Sequence, residues 1–211
     1  MSWFQLPLGP LQTNWYIQTN DQGEGIIFDP GGEVEKLITW LRDRQITPLA
    51  ILLTHAHFDH IGAVEDVRNT FHIPVYIHEN EKEWLIDPQR NGSSLFIPGS
   101  SIKAREAEHL ITGEQDLSIG SFSYQVLETP GHSPGSLSYY AKEDKIVFSG
   151  DALFAGSIGR TDLPGGDHQL LLDSIHDKLL ELPEDTTVAS GHGPTTTIGH
   201  EMDGNPFLSG F

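Results

Sequence analysis

The chain has 211 residues, of which 37% are hydrophobic and 20% are charged, a size and composition that suit one globular domain over residues 1–211. Its formal net charge of -18 at pH 7 repels phosphate backbones and anionic lipid surfaces, so nucleic acid and membranes are not expected partners. Cysteine is absent, which excludes disulfides, thiolate metal ligands and a cysteine nucleophile.

The N-terminal sequence lacks a basic start, a continuous apolar stretch and a small-residue cleavage site, so no signal peptide is predicted. No segment approaches the roughly 20 apolar residues that cross a bilayer. We therefore expect a cytoplasmic protein.

The first part of the sequence predicts a hairpin followed by a β-α-β unit. Two short runs with strand character, 14–18 and 25–29, flank the turn sequence DQGEG. Apolar residues then recur at helical spacing over 33–44, and a run over 49–54 has the continuous apolar character of a buried strand. Strand, helix and strand in this order favour a parallel pair of strands.

The rest of the sequence predicts further strands and one amphipathic helix. Asp167 can cap this helix, whose apolar residues form one stripe and which ends before Pro183. Strands and helices thus alternate, joined by loops rich in glycine and proline. Strands are predicted over 75–78, 122–128, 136–140, 145–149 and 187–189.

The segment after the strand over 49–54 carries three imidazoles and one carboxylate within six positions, at His55, His57, Asp59 and His60. Imidazole and carboxylate suit zinc, iron or manganese, and a tight loop can direct alternate side chains at neighbouring ions. The alternative interpretation is a polar surface loop with scattered histidines. The density of ligand types favours a metal site.

Three later candidates, His132, Asp151 and His192, each follow a predicted strand and stand beside glycine. Glycine permits backbone angles and close approaches that are useful where several loops converge. Each residue alone is a weak signal. Together with the first segment they give seven candidate ligands, enough for two ions with open positions for water.

Asp29 and the histidines outside these motifs are not counted among the candidate ligands. Asp29, at the end of a predicted strand, can either hydrogen-bond a ligand histidine or serve only in a turn. The remaining histidines stand in helical or polar contexts and are predicted to face solvent. They are His72, His78, His109, His168, His176 and His200.

With these residues assembled, the chain resembles the metallo-β-lactamase superfamily, whose HxHxDH hallmark corresponds to the segment 55–60. The resemblance spans nearly the whole chain. It implies an α+β fold, a four-layer αββα sandwich with two divalent ions at one edge between the sheets. The ligand sets that it implies are His55, His57 and His132 for the first ion, Asp59, His60 and His192 for the second, and Asp151 as the bridge.

Within the superfamily the chain is most similar to glyoxalase II, the hydroxyacylglutathione hydrolases, and particularly to short bacterial glyoxalase II-like proteins. The runs 148–154 and 159–162 and the tail over 197–207 carry this likeness. Full-length glyoxalase II has a C-terminal helical domain that supplies part of the glutathione site. We expect that domain to be absent, because few residues follow His192 here.

One position near the expected substrate departs from the family pattern. Glyoxalase II places a lysine, and two residues later a tyrosine, near the thiol cofactor, whereas this chain has Arg160 and Asp162. Arg160 can bind a substrate carboxylate through a pair of parallel hydrogen bonds. The alternative is a surface arginine that pairs with Asp162.

The resemblance implies a dinuclear metal-dependent hydrolase that cleaves the thioester of a small-molecule S-acyl thiol conjugate, such as S-lactoylglutathione. Two divalent ions about 3.5 to 4 Å apart can share a water and lower its pKa to about 7, so that a metal-bound hydroxide attacks the carbonyl. The implied catalytic residues are Asp59, which orients the hydroxide, and Asp151, which bridges the ions. Zinc is the expected metal, with iron or manganese as alternatives.

Other functions share these residues. Some superfamily members with a GRTD segment, found here at 159–162, are persulfide dioxygenases that hold one iron with two histidines and a carboxylate, which here would be His55, His132 and Asp151. Lactonase, other ester hydrolase and β-lactamase activities use the same core. A binding or regulatory module that keeps the site only as structure is the non-enzymatic alternative.

Overall fold

The computed structural model describes residues 1–97, 99 and 101–208 of the chain. The first part of the chain forms a six-stranded sheet whose strands lie in sequence order. The first three strands pair antiparallel, and the next three are added in parallel. These strands are β1 (Ser2–Leu8), β2 (Thr13–Thr19), β3 (Glu24–Phe28), β4 (Thr47–Leu52), β5 (Val75–His78) and β6 (His109–Ile111).

The second part of the chain forms another six-stranded sheet and a small hairpin, β11 (Leu153–Phe154) with β12 (Ser157–Ile158). From one edge of this sheet to the other, the strands lie in the order β14, β13, β10, β9, β8 and β7. Strands β10 and β13 pair in parallel, and the other neighbours in this sheet pair antiparallel. These strands are β7 (Gln115–Ile119), β8 (Phe122–Glu128), β9 (Leu137–Ala141), β10 (Ile146–Gly150), β13 (Thr187–Ser190) and β14 (Thr196–Thr197).

The helices are short and lie mainly in the connections between strands. The predicted cap is present, since Asp167 Oδ1 accepts a hydrogen bond from Leu170 N at 3.1 Å. The helix that follows it passes into a π-helical turn at Ile175–Leu179 and so ends earlier than predicted. The helices are α1 (Val34–Asp43), α2 (Phe58–Ile61), α3 (Val64–Phe71), α4 (Ser93–Phe96), α5 (His168–Ser174) and α6 (Ile198–Gly204).

Three apolar clusters show how these elements are layered. The middle cluster lies between the two sheets, where Phe28 of β3 stacks on Phe148 of β10 with ring centroids 3.9 Å apart. A second cluster joins the outer face of the first sheet to α1 and α3, and a third joins the outer face of the second sheet to α5. This is the predicted four-layer αββα sandwich of an α+β fold.

The hairpin β2–β3 and the β3–α1–β4 unit confirm the predictions for the first part of the chain. Strands β5 and β8 match their predicted ranges residue for residue. Several elements were not predicted. Among them are β1, in which Pro7 interrupts the pattern at a sheet edge, and β6, which has only three residues.

The expectation that the six other histidines face solvent is wrong for His78. This side chain is buried, and its Nε2 lies 2.9 Å from Glu128 Oε1, because β5 is covered on both faces. His176 is half-buried. The remaining four, His72, His109, His168 and His200, are exposed as predicted.

Within the described residues, none of the helices has the length and apolar character that a bilayer crossing requires.

We expect Phe28→Ala to lower the free energy of unfolding by about 3 to 5 kcal/mol, because it removes the ring at the centre of the inter-sheet core. Phe207, which is about half exposed, provides a matched control. Phe207→Ala should change the free energy of unfolding by less than about 1 kcal/mol. Urea denaturation of the two variants measures the difference, and similar losses in both would contradict the assigned core.

Candidate metal centre

The seven candidate ligands meet at one edge of the sandwich, where strands from both sheets end. The loop after β4 and the first turn of α2 supply the HxHxDH segment. The second sheet supplies three single residues, each beyond the carboxyl end of a strand. These are His132 after β8, Asp151 after β10 and His192 after β13.

Two glycines allow these loops to approach one another. A Cβ atom at Gly191 would lie 2.1 Å from Asp151 Oδ1 and 2.8 Å from His60 Cε1, so a side chain there would displace the candidate ligands. A Cβ atom at Gly31 would lie 1.7 Å from the carbonyl oxygen of Asp59. Only glycine fits at such contacts, and Gly191, which stands beside His192, agrees with the expectation for glycines next to ligands.

His55, His57 and His132 form the first cluster, and all three side chains are buried. Their ligand atoms lie within 4.8 Å of one another, and His57 Nδ1 is 2.9 Å from His132 Nε2. The other ring nitrogens contact the protein: His132 Nδ1 donates to the Arg160 carbonyl at 2.7 Å, and His55 Nδ1 lies 3.0 Å from Thr54 Oγ1. These contacts fix the direction of the opposite ring nitrogens of His132 and His55.

Asp59, His60 and His192 form the second cluster. Asp59 Oδ2 lies 3.2 Å from His192 Nε2 and 3.6 Å from His60 Nε2. The opposite nitrogen of His60, Nδ1, lies 3.0 Å from Asp29 Oδ2. The predicted contact between Asp29 and a ligand histidine is therefore present.

The carboxylate of Asp151 reaches both clusters. Its Oδ1 lies 3.4 Å from His60 Nε2, and its Oδ2 lies 3.5 Å from His132 Nε2 and 3.6 Å from His192 Nε2. One carboxylate between two groups of imidazoles is the arrangement expected of a bridging ligand.

A third grouping, Asp29 with His55 and His60, is also compact enough to hold an ion. However, Asp29 Oδ1 accepts a hydrogen bond from Thr54 N, and Oδ2 accepts one from Thr54 Oγ1. Since both oxygens are already engaged, we place Asp29 behind His60 as a partner that orients it.

Three buried atoms in the clusters have no hydrogen-bond partner among the described residues, namely His55 Nε2, His60 Nε2 and Asp151 Oδ1. Buried polar atoms are rarely left unsatisfied, because each costs about 1 to 3 kcal/mol. All three are atoms that divalent ions bind. The donor set therefore fits metal ions held by nitrogen and oxygen.

The electrostatics of the clusters are consistent with this fit. Burial lowers the pKa of His57 to about 3, so its imidazole is neutral and keeps a lone pair for a metal. Burial also lowers the pKa of His60, but the carboxylates of Asp59, Asp151 and Asp29 raise it by more. The resulting pKa lies well above the ordinary value for histidine. Positive charge, carried by a proton or by an ion, is thus favoured at this point.

A cleft of about 410 Å³ opens over the two clusters. Another cavity of about 430 Å³ lies around Lys82 and Arg90 and contains none of the candidate ligands, so we assign the site by its chemistry. The wall of the cleft is mainly apolar. Besides five candidate ligands, its lining residues are Leu11, Phe58, Phe96, Phe154, Ser157, Ile158, Arg160 and Leu163.

Arg160 lines the cleft, but its guanidinium group is paired. Nε and Nη2 donate to the two carboxylate oxygens of Asp162 at 2.7 and 2.8 Å, and both side chains are more than half exposed. The surface pair of Arg160 with Asp162 is thus present.

Several contacts around the site carry no signal in the sequence. Thr13 Oγ1 donates to Asp59 Oδ2 at 2.7 Å, and Thr54 contacts both Asp29 and His55. Buried Glu81 bonds to the loops of the first cluster. These residues come from separate parts of the chain, and only the fold brings them together.

The family model described as the metallo-beta-lactamase superfamily matches residues 8–192 of the chain. The probable metallo-hydrolase YqgX of Bacillus subtilis (strain 168) is 55% identical over 211 residues, which are 100% of this chain and 99% of that protein. The hydroxyacylglutathione hydrolase GloC of Haemophilus influenzae is 35% identical over 97% of this chain and 96% of that protein.

Two solved structures extend this comparison. The crystal structure of BLEG-1 B3 metallo-beta-lactamase has 63% sequence identity and a TM-score of 0.97, and the match covers 99% of this chain and 100% of that chain. The crystal structure of TTHA1623 in a di-iron-bound form has 42% sequence identity and a TM-score of 0.85, and the match covers 97% of this chain and 100% of that chain.

We expect the purified protein to bind two divalent ions per chain, and Asp151→Ala to bind one or none, because this change removes the carboxylate that both clusters share. Metal content after dialysis against excess zinc, measured by plasma mass spectrometry, gives the stoichiometry. Asp116→Ala, which removes an exposed carboxylate on β7, should still bind two ions. A maximum of one ion in the unmodified protein would contradict the dinuclear assignment.

Proposed function

The chain belongs to the metallo-β-lactamase superfamily, and from this membership and the geometry of its metal centre we propose that it is a metal-dependent hydrolase of small thioesters. The proposed substrates are S-acyl thiol conjugates, S-lactoylglutathione among them. The observation that carries the proposal is the pair of ligand clusters joined by Asp151 beneath a cleft that admits a small molecule. The name of GloC, hydroxyacylglutathione hydrolase, supports the choice of thioester.

Each cluster would hold one divalent ion, with Asp151 in reach of both. Zinc is the proposed metal; iron and manganese suit the same donors, and the relative TTHA1623 is described as di-iron-bound. When bound, such a pair of ions supplies Lewis acidity and makes hydroxide available near neutral pH.

Asp59 is the carboxylate best placed to orient a water in the reaction. It lines the cleft, and Thr13 and His192 hold its Oδ2 in place. Burial raises the pKa of Asp59, but His60 and His192 lower it by more, so the carboxylate is ionised at neutral pH. It can therefore accept a hydrogen bond from a water and orient it toward the substrate.

The apolar wall of the cleft suits the acyl part of a substrate. Phe58 and Phe96 stack with ring centroids 5.7 Å apart. The ring of Phe154 packs edge-on against the ring of His192. Such side chains exclude water from the reacting carbonyl while contacting an apolar group. A thioester has the further advantage that its thiolate leaves with little need for a proton donor.

A β-lactam is the second candidate substrate, and the observation that favours it is the 63% identity to a protein described as a B3 metallo-beta-lactamase. Cleavage of an amide requires protonation of the leaving nitrogen, in contrast to a thioester.

The persulfide dioxygenase alternative would need His55, His132 and Asp151 alone. The second cluster beside them, with its own carboxylate and histidines, supports two ions instead.

The test is a substrate panel with protein loaded with zinc, manganese or iron in separate preparations. The panel comprises S-lactoylglutathione, a neutral aryl thioester, a lactone and a chromogenic cephalosporin. We expect the highest kcat/KM with a thioester. Turnover of the cephalosporin alone would support the β-lactamase candidate, and oxygen uptake with a persulfide would support the dioxygenase.

The pair of Arg160 and Asp162 predicts how the cleft responds to substrate charge. Asp162→Asn should lower the KM for an anionic conjugate about two- to fivefold, since it frees Arg160 for a substrate carboxylate at an exposed site. Arg160→Ala should raise that KM by a similar factor. Steady-state kinetics with the neutral thioester serve as the control and should change little. Equal effects on both substrates would mean that the pair supports the fold or the metal centre.

A further inference from the structure

Glu81 is a fully buried carboxylate outside the two ligand clusters. It lies in a short 3-10 turn, Glu79–Glu81, directly after β5. Its Oε2 accepts a hydrogen bond from Ala56 N at 2.6 Å, and its Oε1 accepts from Gly135 N at 2.9 Å and from Ser133 Oγ. Burial raises the pKa of Glu81, and these three donors oppose that rise. A carboxylate removed from water depends on such donors in place of its hydration.

The three donors belong to the two loops that carry the first ligand cluster. Ala56 stands between the two histidines of the loop after β4, and Ser133 directly follows His132. Glu81 thus joins the backbone of a loop from the first sheet to a loop from the second. Its hydrogen bonds within the described residues do not involve α2 or the loop after β13, which supply the second cluster.

The packing around Glu81 leaves it little room to move. A Cβ atom at Gly135 would lie 3.0 Å from Glu81 Cγ and 3.1 Å from His78 Cβ. Ser133 Oγ, which donates to Glu81, also lies 2.7 Å from Ser136 Oγ. A change at Glu81 is therefore transmitted to both loops.

We propose that Glu81 is a positioning residue that sets the spacing of His55, His57 and His132 and thereby the affinity of this cluster for a divalent ion. This role rests on the proposed metal centre and is independent of which substrate is cleaved. Replacing a residue that orients metal ligands typically costs 10- to 100-fold in metal affinity. The loss should be confined to one of the two ions, because Glu81 holds the loops of only one cluster.

The chain offers a matched control in Glu201 of α6. This carboxylate is also fully buried, and it accepts hydrogen bonds from Gly156 N, Thr196 Oγ1 and Asn205 Nδ2 at 2.6 to 2.8 Å. None of these three partners stands next to a candidate ligand in the sequence. Glu201 therefore reproduces the burial and hydrogen bonding of Glu81 without its connection to the metal centre.

The experiment compares Glu81→Gln with Glu201→Gln. In each variant an NH2 group replaces one acceptor oxygen and cannot accept from the facing donor. Zinc affinity is measured by competition with a chromophoric chelator that resolves the two binding steps, and the melting temperature of the metal-free protein is measured in parallel. We expect Glu81→Gln to weaken one step about 10- to 100-fold and Glu201→Gln to change both steps less than about twofold.

A milder pair, Ser133→Ala with Thr196→Ala as its control, keeps the test available if a glutamine variant does not fold. Ser133→Ala removes one of the three donors to Glu81 and should weaken the same zinc step by a smaller factor. Unchanged zinc affinity, equal weakening of both steps, or the same loss in the control variants would overturn the proposal. Zinc binding is read without substrate, so a lack of thioester turnover does not affect the result.

Discussion

The buried carboxylate of Asp29 ties together three elements that hold the HxHxDH ligands of the metal centre in place. It follows β3 in a left-handed conformation with φ of 47°, and it accepts hydrogen bonds from the backbone and side chain of Thr54. The same carboxylate faces Nδ1 of His60. The end of β3, the end of β4 and the first turn of α2 are thus held together by the protein alone. A histidine held through one nitrogen presents the other in a fixed direction.

The spacing of the ligands also depends on the core between the sheets. Each ligand cluster draws on both sheets, since His132 joins residues after β4 in one and His192 joins residues of α2 in the other. Phe28 stacks on Phe148 within the apolar cluster that lies between the sheets. Because close-packed interiors transmit changes of volume, core packing and ligand geometry are parts of one structure. An ion held by either cluster would join the two sheets at their edge.

The family resemblance implied the fold class, and the candidate ligands could be identified along the sequence because their signals are local. Strand ends followed by glycine and a ligand residue, as at His132 and His192, can be recognised within a few positions. Contacts made over long separations could not be predicted in this way. Thr13 reaches Asp59 from 46 residues away, and Glu81 reaches Ser133 from 52. His78 was misjudged for the same reason, since only the completed sandwich covers it.

The order of the ligands along the chain makes the metal centre a late product of folding. The first ligand, His55, follows β4 of the first sheet, and the last, His192, follows β13 of the second. The cluster of three histidines also depends on later parts of the chain, because His132 donates to the carbonyl of Arg160. Sheets that share one core fold as a unit. A nascent chain whose second sheet is unfinished therefore has neither cluster in its final geometry, and an ion that needs the whole centre would bind only after synthesis has passed His192.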